Sequence, residues 1–109
     1  MSVVARRLTL CAVATGALLS VAAPAPAAAA THTVVIDKMK YAPVPPLKVG
    51  DTVVFVNKDI FRHTVTASNN SFNIDLMPGK SGSLHINSAG HATFYCKYHP
   101  GMRGSMIAK

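Results

Sequence analysis

Cys96-Lys-Tyr-His99-Pro-Gly-Met102 places a thiol, an imidazole and a thioether within seven residues, and a second imidazole, His63, precedes them in the chain. Thiolate plus two imidazoles, with a weak axial thioether, is the donor set of one-electron copper sites. The reason is softness. Sulfur donors suit Cu(I), imidazole suits both oxidation states, and one compromise geometry keeps rearrangement small when an electron arrives or leaves. Zinc sites also use Cys and His, but methionine is not among their usual ligands. A Cys–His pair can serve as nucleophile and base, yet no hydrolase signature surrounds Cys96. Residue type therefore favours copper, held by His63, Cys96, His99 and Met102.

Three donors on one loop are placed well only if the fourth stands on a rigid neighbour. The segments around them read as short strands of β-branched and aromatic residues separated by turn residues. Strands are predicted over Thr33–Met39, Leu47–Val49, Thr52–Asn57, His63–Ala67, Ser83–Asn87, His91–Cys96 and Gly104–Ala108, with a brief edge segment at Phe72–Asp75. Tyr41–Pro46 holds three prolines and must be irregular or extended. Pro78-Gly79 and Ser88–Gly90 read as turns. Seven or eight strands predict an all-β antiparallel sandwich with essentially no helix. His63 opens one strand, and Cys96 closes another. His32, His85 and His91 are expected to face solvent, and Met39, Met77 and Met106 to fill the core or its rim.

Residues 1–30 carry Arg6 and Arg7, an apolar run from Leu8 to Val21 and an alanine-rich end. This is the layout of a secretory signal peptide, and the run is shorter than the ~20 residues of a membrane span. Ala28 and Ala30 fit a cleavage site that leaves Thr31 first, so residues 31–109 form the expected single domain. The paired arginines are compatible with general or twin-arginine export. Cys11 falls in the signal, which leaves Cys96 as the lone mature thiol and excludes an internal disulfide. The formal net charge is +7, of which Arg6 and Arg7 supply two, leaving +5 in residues 31–109. That balance favours an anionic partner surface. The cations are scattered, which argues against nucleic acid.

The motifs resemble those of the cupredoxins, most closely the amicyanin and plastocyanin group, over nearly all of residues 31–109. Pro46-Leu-Lys-Val-Gly-Asp-Thr-Val-Val-Phe-Val-Asn57 is similar to the family's strand pair before its first histidine. Asp59-Ile-Phe-Arg-His63-Thr-Val is similar to the first-ligand segment. Pro78-Gly-Lys-Ser81 matches the family's turn, and Gly90-His-Ala-Thr-Phe-Tyr-Cys96 the strand that leads to the thiolate. The two-residue gaps from Cys96 to His99 and from His99 to Met102 resemble the short ligand loop of amicyanins. The resemblance implies a cupredoxin-like Greek-key sandwich and one type 1 (blue) copper per chain. It also implies a non-enzymatic, monomeric electron carrier of the periplasm, docking through the His99 edge onto a donor dehydrogenase and a cytochrome-type acceptor. A periplasmic copper carrier or buffer is the alternative. A multicopper enzyme would need further histidines, often as H-x-H pairs, and none occurs. The chain departs from the family twice. Thr64 stands where many members have Asn tying the ligand loops together. Arg62 stands where a proline often precedes the first histidine, and its charge is expected to raise the reduction potential.

Overall fold

The computed structural model describes residues 28–109 and the pair 16–17; the signal-peptide reading falls mostly outside them. Among the described residues there are eight strands: β1 (Thr31–Asp37), β2 (Lys40–Tyr41), β3 (Thr52–Asn57), β4 (His63–Ala67), β5 (Asn73–Leu76), β6 (Ser81–His85), β7 (Gly90–Tyr95) and β8 (Arg103–Ala108). They form two four-stranded sheets, in the orders β2-β1-β3-β6 and β5-β4-β7-β8. Alternation explains the layering: Val34 and Ile36 of β1 and Val53 and Phe55 of β3 point inward, while Thr33 and Asp37 are exposed. They meet Val65, Leu76, Phe94, Met106 and Ala108 of the second sheet in one apolar core.

β1 runs parallel to β3, with Thr31 opposite Thr52 and Ile36 opposite Asn57, so the sandwich is mixed rather than wholly antiparallel. A parallel pair needs a crossover. Here it is the proline-rich segment after β2. Leu47, expected in a strand, makes only an isolated parallel bridge to Ala108. Leu47 donates to Ile107 O, Val49 donates to Lys109 O, and Lys109 donates back to Leu47 O, each at 3.0 Å. The crossover thereby covers the free edge of β8, which would otherwise present unpaired backbone groups.

β1 and β2 are joined by a two-residue turn at Lys38 and Met39, both in the left-handed region (φ 51° and 60°). Neither is the Asn or Gly usual there, so the sequence does not announce this hairpin. The sheet also reaches back beyond Thr31. Thr52 N–H donates to Ala30 O (2.9 Å), and Ala30 N–H donates to Asp51 Oδ1 (2.9 Å). Asp51, 2% exposed, further accepts from Lys48 N–H and pairs with His32 Nε2, both at 2.9 Å. His32 is thus a partly buried partner of a carboxylate and not a free surface histidine; His85 and His91 are exposed as expected. The carboxyl of Asp51 is held down to about 2, chiefly by the Ala30 and Lys48 amides and then by His32.

Gly104 lies opposite Phe94 in the β7–β8 ladder. A Cβ on it would collide with the edge of the Phe94 ring. The vacancy seats Phe94 edge-on to Tyr41 (centroids 4.8 Å apart) and Phe55 (5.9 Å), directly below the Cys96 strand end.

Candidate metal centre

β4 begins with His63 and β7 ends one residue before Cys96, so neighbouring strands deliver both side chains to one end of the sandwich. Cys96 is fully buried, and its Sγ lies 3.8 Å from His63 Nδ1 and 3.6 Å from His99 Nδ1. The three donor atoms all lie within 4.8 Å of one another. Such a triangle suits a metal about 2.0–2.3 Å from each donor. The two imidazole rings are tilted by 54° with centroids 5.0 Å apart. The loop between Cys96 and Met102 is closed by its own backbone: His99 donates to Cys96 O (3.3 Å), Met102 to His99 O (2.8 Å) and Cys96 to Met102 O (3.1 Å). Met102 is buried, whereas Met77 is exposed and Met106 lies in β8 against the core. Of the methionines, Met102 is therefore the one the ligand loop itself carries.

The groups behind these donors were mostly invisible in the sequence. Asp59 Oδ2 lies 2.9 Å from His63 Nε2, which directs Nδ1 toward the thiol. The same oxygen accepts the Met39 amide (3.0 Å), tying the β1–β2 turn to the histidine. Its carboxyl is held below the usual range, first by His63 and then by that amide. Asn57, fully buried, shapes the loop that carries Asp59: its Nδ2 donates to Phe61 O (2.8 Å) and Leu76 O (3.0 Å), and its Oδ1 accepts from Asp59 N–H (2.9 Å). A carboxylate four residues before the histidine was the only available signal.

Thr64 does take a loop-tying part. Its Oγ1 accepts the Lys97 amide (2.9 Å), and its own N–H points at Cys96 Sγ (3.4 Å). Its carbonyl accepts the hydroxyl of Tyr41, whose ionisation is pushed up by burial and then by the neighbouring Cys96 sulfur. Arg62 is not a bare cation. Asp75 receives it through two hydrogen bonds (2.9 and 2.7 Å), the guanidinium lies 5.0 Å from the Tyr98 ring centroid, and the Tyr98 hydroxyl donates to Asp75 (3.0 Å). The charge the sequence places beside the ligands is therefore largely offset. His99 is partly exposed, with Phe61 edge-on at 6.1 Å.

A two-sheet sandwich with a Cys and two His converging at one end, and a Met three residues after the second His, defines the class of single-copper sandwich proteins. Residues 9–108 match the Cupredoxin-like domain, and the chain belongs to that family. It is 32% identical over 81 residues to amicyanin of Paracoccus versutus, covering 68% of this chain and 61% of that protein. The chain thus spans about three-fifths of the length of that curated relative. The crystal structure of Paracoccus versutus amicyanin matches with a TM-score of 0.64 at 32% identity, over 77% of this chain and 84% of that one. A reduced Cu(I) form of an amicyanin mutant matches with the same TM-score and identity, over 72% and 82%.

Proposed function

We propose that this chain is an exported type 1 copper protein that carries one electron at a time between redox proteins, with the metal held by His63, Cys96, His99 and Met102. The observation that carries the reading is the buried triangle of Cys96 Sγ with the two imidazole Nδ1 atoms. Bound copper would supply the one-electron Cu(II)/Cu(I) change. The chain supplies the rest. Asp59 and the Thr64 amide hold His63 and the thiolate in place, so the donors need not move when charge changes. Burial excludes water from Cys96. Amicyanin-like cupredoxins are electron carriers, not enzymes.

His99 offers the exit, since it alone among the three clustered donors is not fully buried. Around this end Ile60 (80% exposed), Phe61, Met77 and Tyr98 leave an apolar surface. Lys58 and Lys97, adjacent to Asp59 and Cys96, are exposed, and among the described residues Arg62 is the only Lys or Arg in an ion pair. The four aspartates are already engaged with amides, histidines or Arg62. The partner that suits this end is a redox protein with an acidic rim around an apolar centre. Residues 1–30 would direct export to the periplasm and be removed.

The test is the spectrum of the mature protein after addition of Cu(II). An intense visible thiolate-to-copper band with narrow copper hyperfine splitting, absent in Cys96→Ser, is the expected result. A pale protein with ordinary splitting would overturn the reading.

A further inference from the structure

Thr64 is the visible end of a longer device on the outer face of the second sheet. Cross-strand register places Thr66 directly between Asn73 of β5 and Tyr95 of β7. The Thr66 hydroxyl donates to Asn73 Oδ1 at 2.7 Å, and the Thr64 and Thr66 hydroxyls are 2.9 Å apart. The Lys97 amide can only donate, and it reaches Thr64 Oγ1 at 2.9 Å. A carbonyl oxygen can only accept, so Asn73 fixes the Thr66 proton toward itself. Thr64 must then give its proton to Thr66, and its lone pair is left facing Lys97. The three bonds run one way, from the ligand loop to the sheet edge. Both threonines are 1% exposed, so a broken link is not repaired by bulk water.

We infer that Thr66 and Asn73 are positioning residues for the ligand loop: by orienting the Thr64 hydroxyl they anchor the residue after Cys96, and thereby the thiolate, from the far edge of the sheet. The side chains of Thr66 and Asn73 bond to Thr64 and to each other rather than to a proposed ligand. Asn73 is exposed at the start of an edge strand, where substitution leaves the core untouched. The inference rests on the copper reading for its consequence, but the anchor itself can be read without metal.

The experiment measures amide hydrogen exchange at Lys97 in the metal-free protein, normalised to a core amide such as that of Val65, in Thr66→Val and Asn73→Leu. Loss of one buried hydrogen bond speeds local opening by about 2–13-fold, and a change of about fivefold in that ratio is expected in both variants. Thr66→Ser and Asn73→Asp keep the acceptors and should retain the original ratio. After copper loading, the first pair should show a shifted thiolate band or copper hyperfine splitting, and the second pair should not. Unchanged Lys97 exchange in both Thr66→Val and Asn73→Leu would overturn the inference, whatever the spectrum of the parent protein. A colourless parent with the expected exchange pattern would instead sink only the copper reading.

Discussion

Asp59 Oδ2 touches His63 Nε2 and the Met39 amide at once, 2.9 and 3.0 Å away. The histidine is therefore oriented by a loop carboxylate that is itself pinned to the neighbouring hairpin. Removal of such an outer partner typically costs 10–100-fold in metal affinity. In Asp59→Ala, competition with a chelator of known affinity should show copper binding weakened by about tenfold or more. Asp59→Asn keeps an acceptor and should lose less. Equal affinity in the alanine variant would mean that packing alone holds the ring.

The Arg62–Asp75 pair places two opposite charges next to the ligand loop, about half and a third exposed. Asp75→Asn leaves the guanidinium uncompensated, disfavours Cu(II) and should raise the reduction potential. Arg62→Ala leaves the carboxylate uncompensated and should lower it. Solvent screens both exposed side chains, so shifts on the order of a few tens of millivolts at most are expected. Voltammetry of the two variants should bracket the parent; shifts of the same sign would contradict this electrostatic account.

Acid sensitivity is expected at the opposite end of the sandwich. Asp51 has its carboxyl lowered from 3.8 to about 2 by the Ala30 and Lys48 amides and by His32. A lowered folded-state value means that the stabilisation is fully present above the unfolded value and disappears as pH falls from near 3.8 through about 2. Urea midpoints of the metal-free protein should decline across that window. Asp51→Asn should start less stable and decline less steeply there, and parallel curves for the two proteins would refute the assignment.

Gly104 exists for the Phe94 ring. Because the ring is wedged against Tyr41 and Phe55, it cannot retreat from a new methyl group. Gly104→Ala should destabilise by about 1–3 kcal/mol through overpacking, which in a domain of this size lowers Tm by about 4–8 °C per kcal/mol. Gly101→Ala, where the added carbon meets nothing, is the control for intrinsic backbone effects. Equal melting temperatures for the two variants would show that the ring has room to move.

Some of this architecture was readable from the chain alone. Thr52–Asn57 and His63–Ala67 were bounded correctly because β-branched residues are flanked by turn or loop residues at both ends. The Cys–His–Met spacing was legible because three unusual donors share one short loop. Strand direction was not legible: nothing local in β1 says that β3 runs parallel to it. The Lys38–Met39 turn was hidden because neither residue carries a turn signature, its positive φ angles being imposed by strand pairing and the Asp59 anchor. Asn57 closes a predicted strand and Asp59 opens the first-ligand segment, but their bracing parts are not legible, because Phe61 O, Leu76 O, the Met39 amide and the His63 ring reach them only on folding. Arg62 was read as a lone charge because Asp75 stands 13 positions away and reaches it only when β4 and β5 pair.

If the leader proposed above is removed on export, the two hydrogen bonds made by Ala30 distinguish the possible first residues of the remaining chain. A polypeptide trimmed to begin at Thr31 forfeits both the Thr52–Ala30 rung and the amide that faces Asp51. One trimmed to begin at Ala30 keeps the rung and turns that amide into an ammonium group, 2.9 Å from a nearly enclosed carboxylate. Such a charge-assisted contact is stronger than the neutral one it replaces. Export and folding would then be joined at one atom, with the newly freed terminus serving as the clasp that closes the end of the sandwich opposite Cys96.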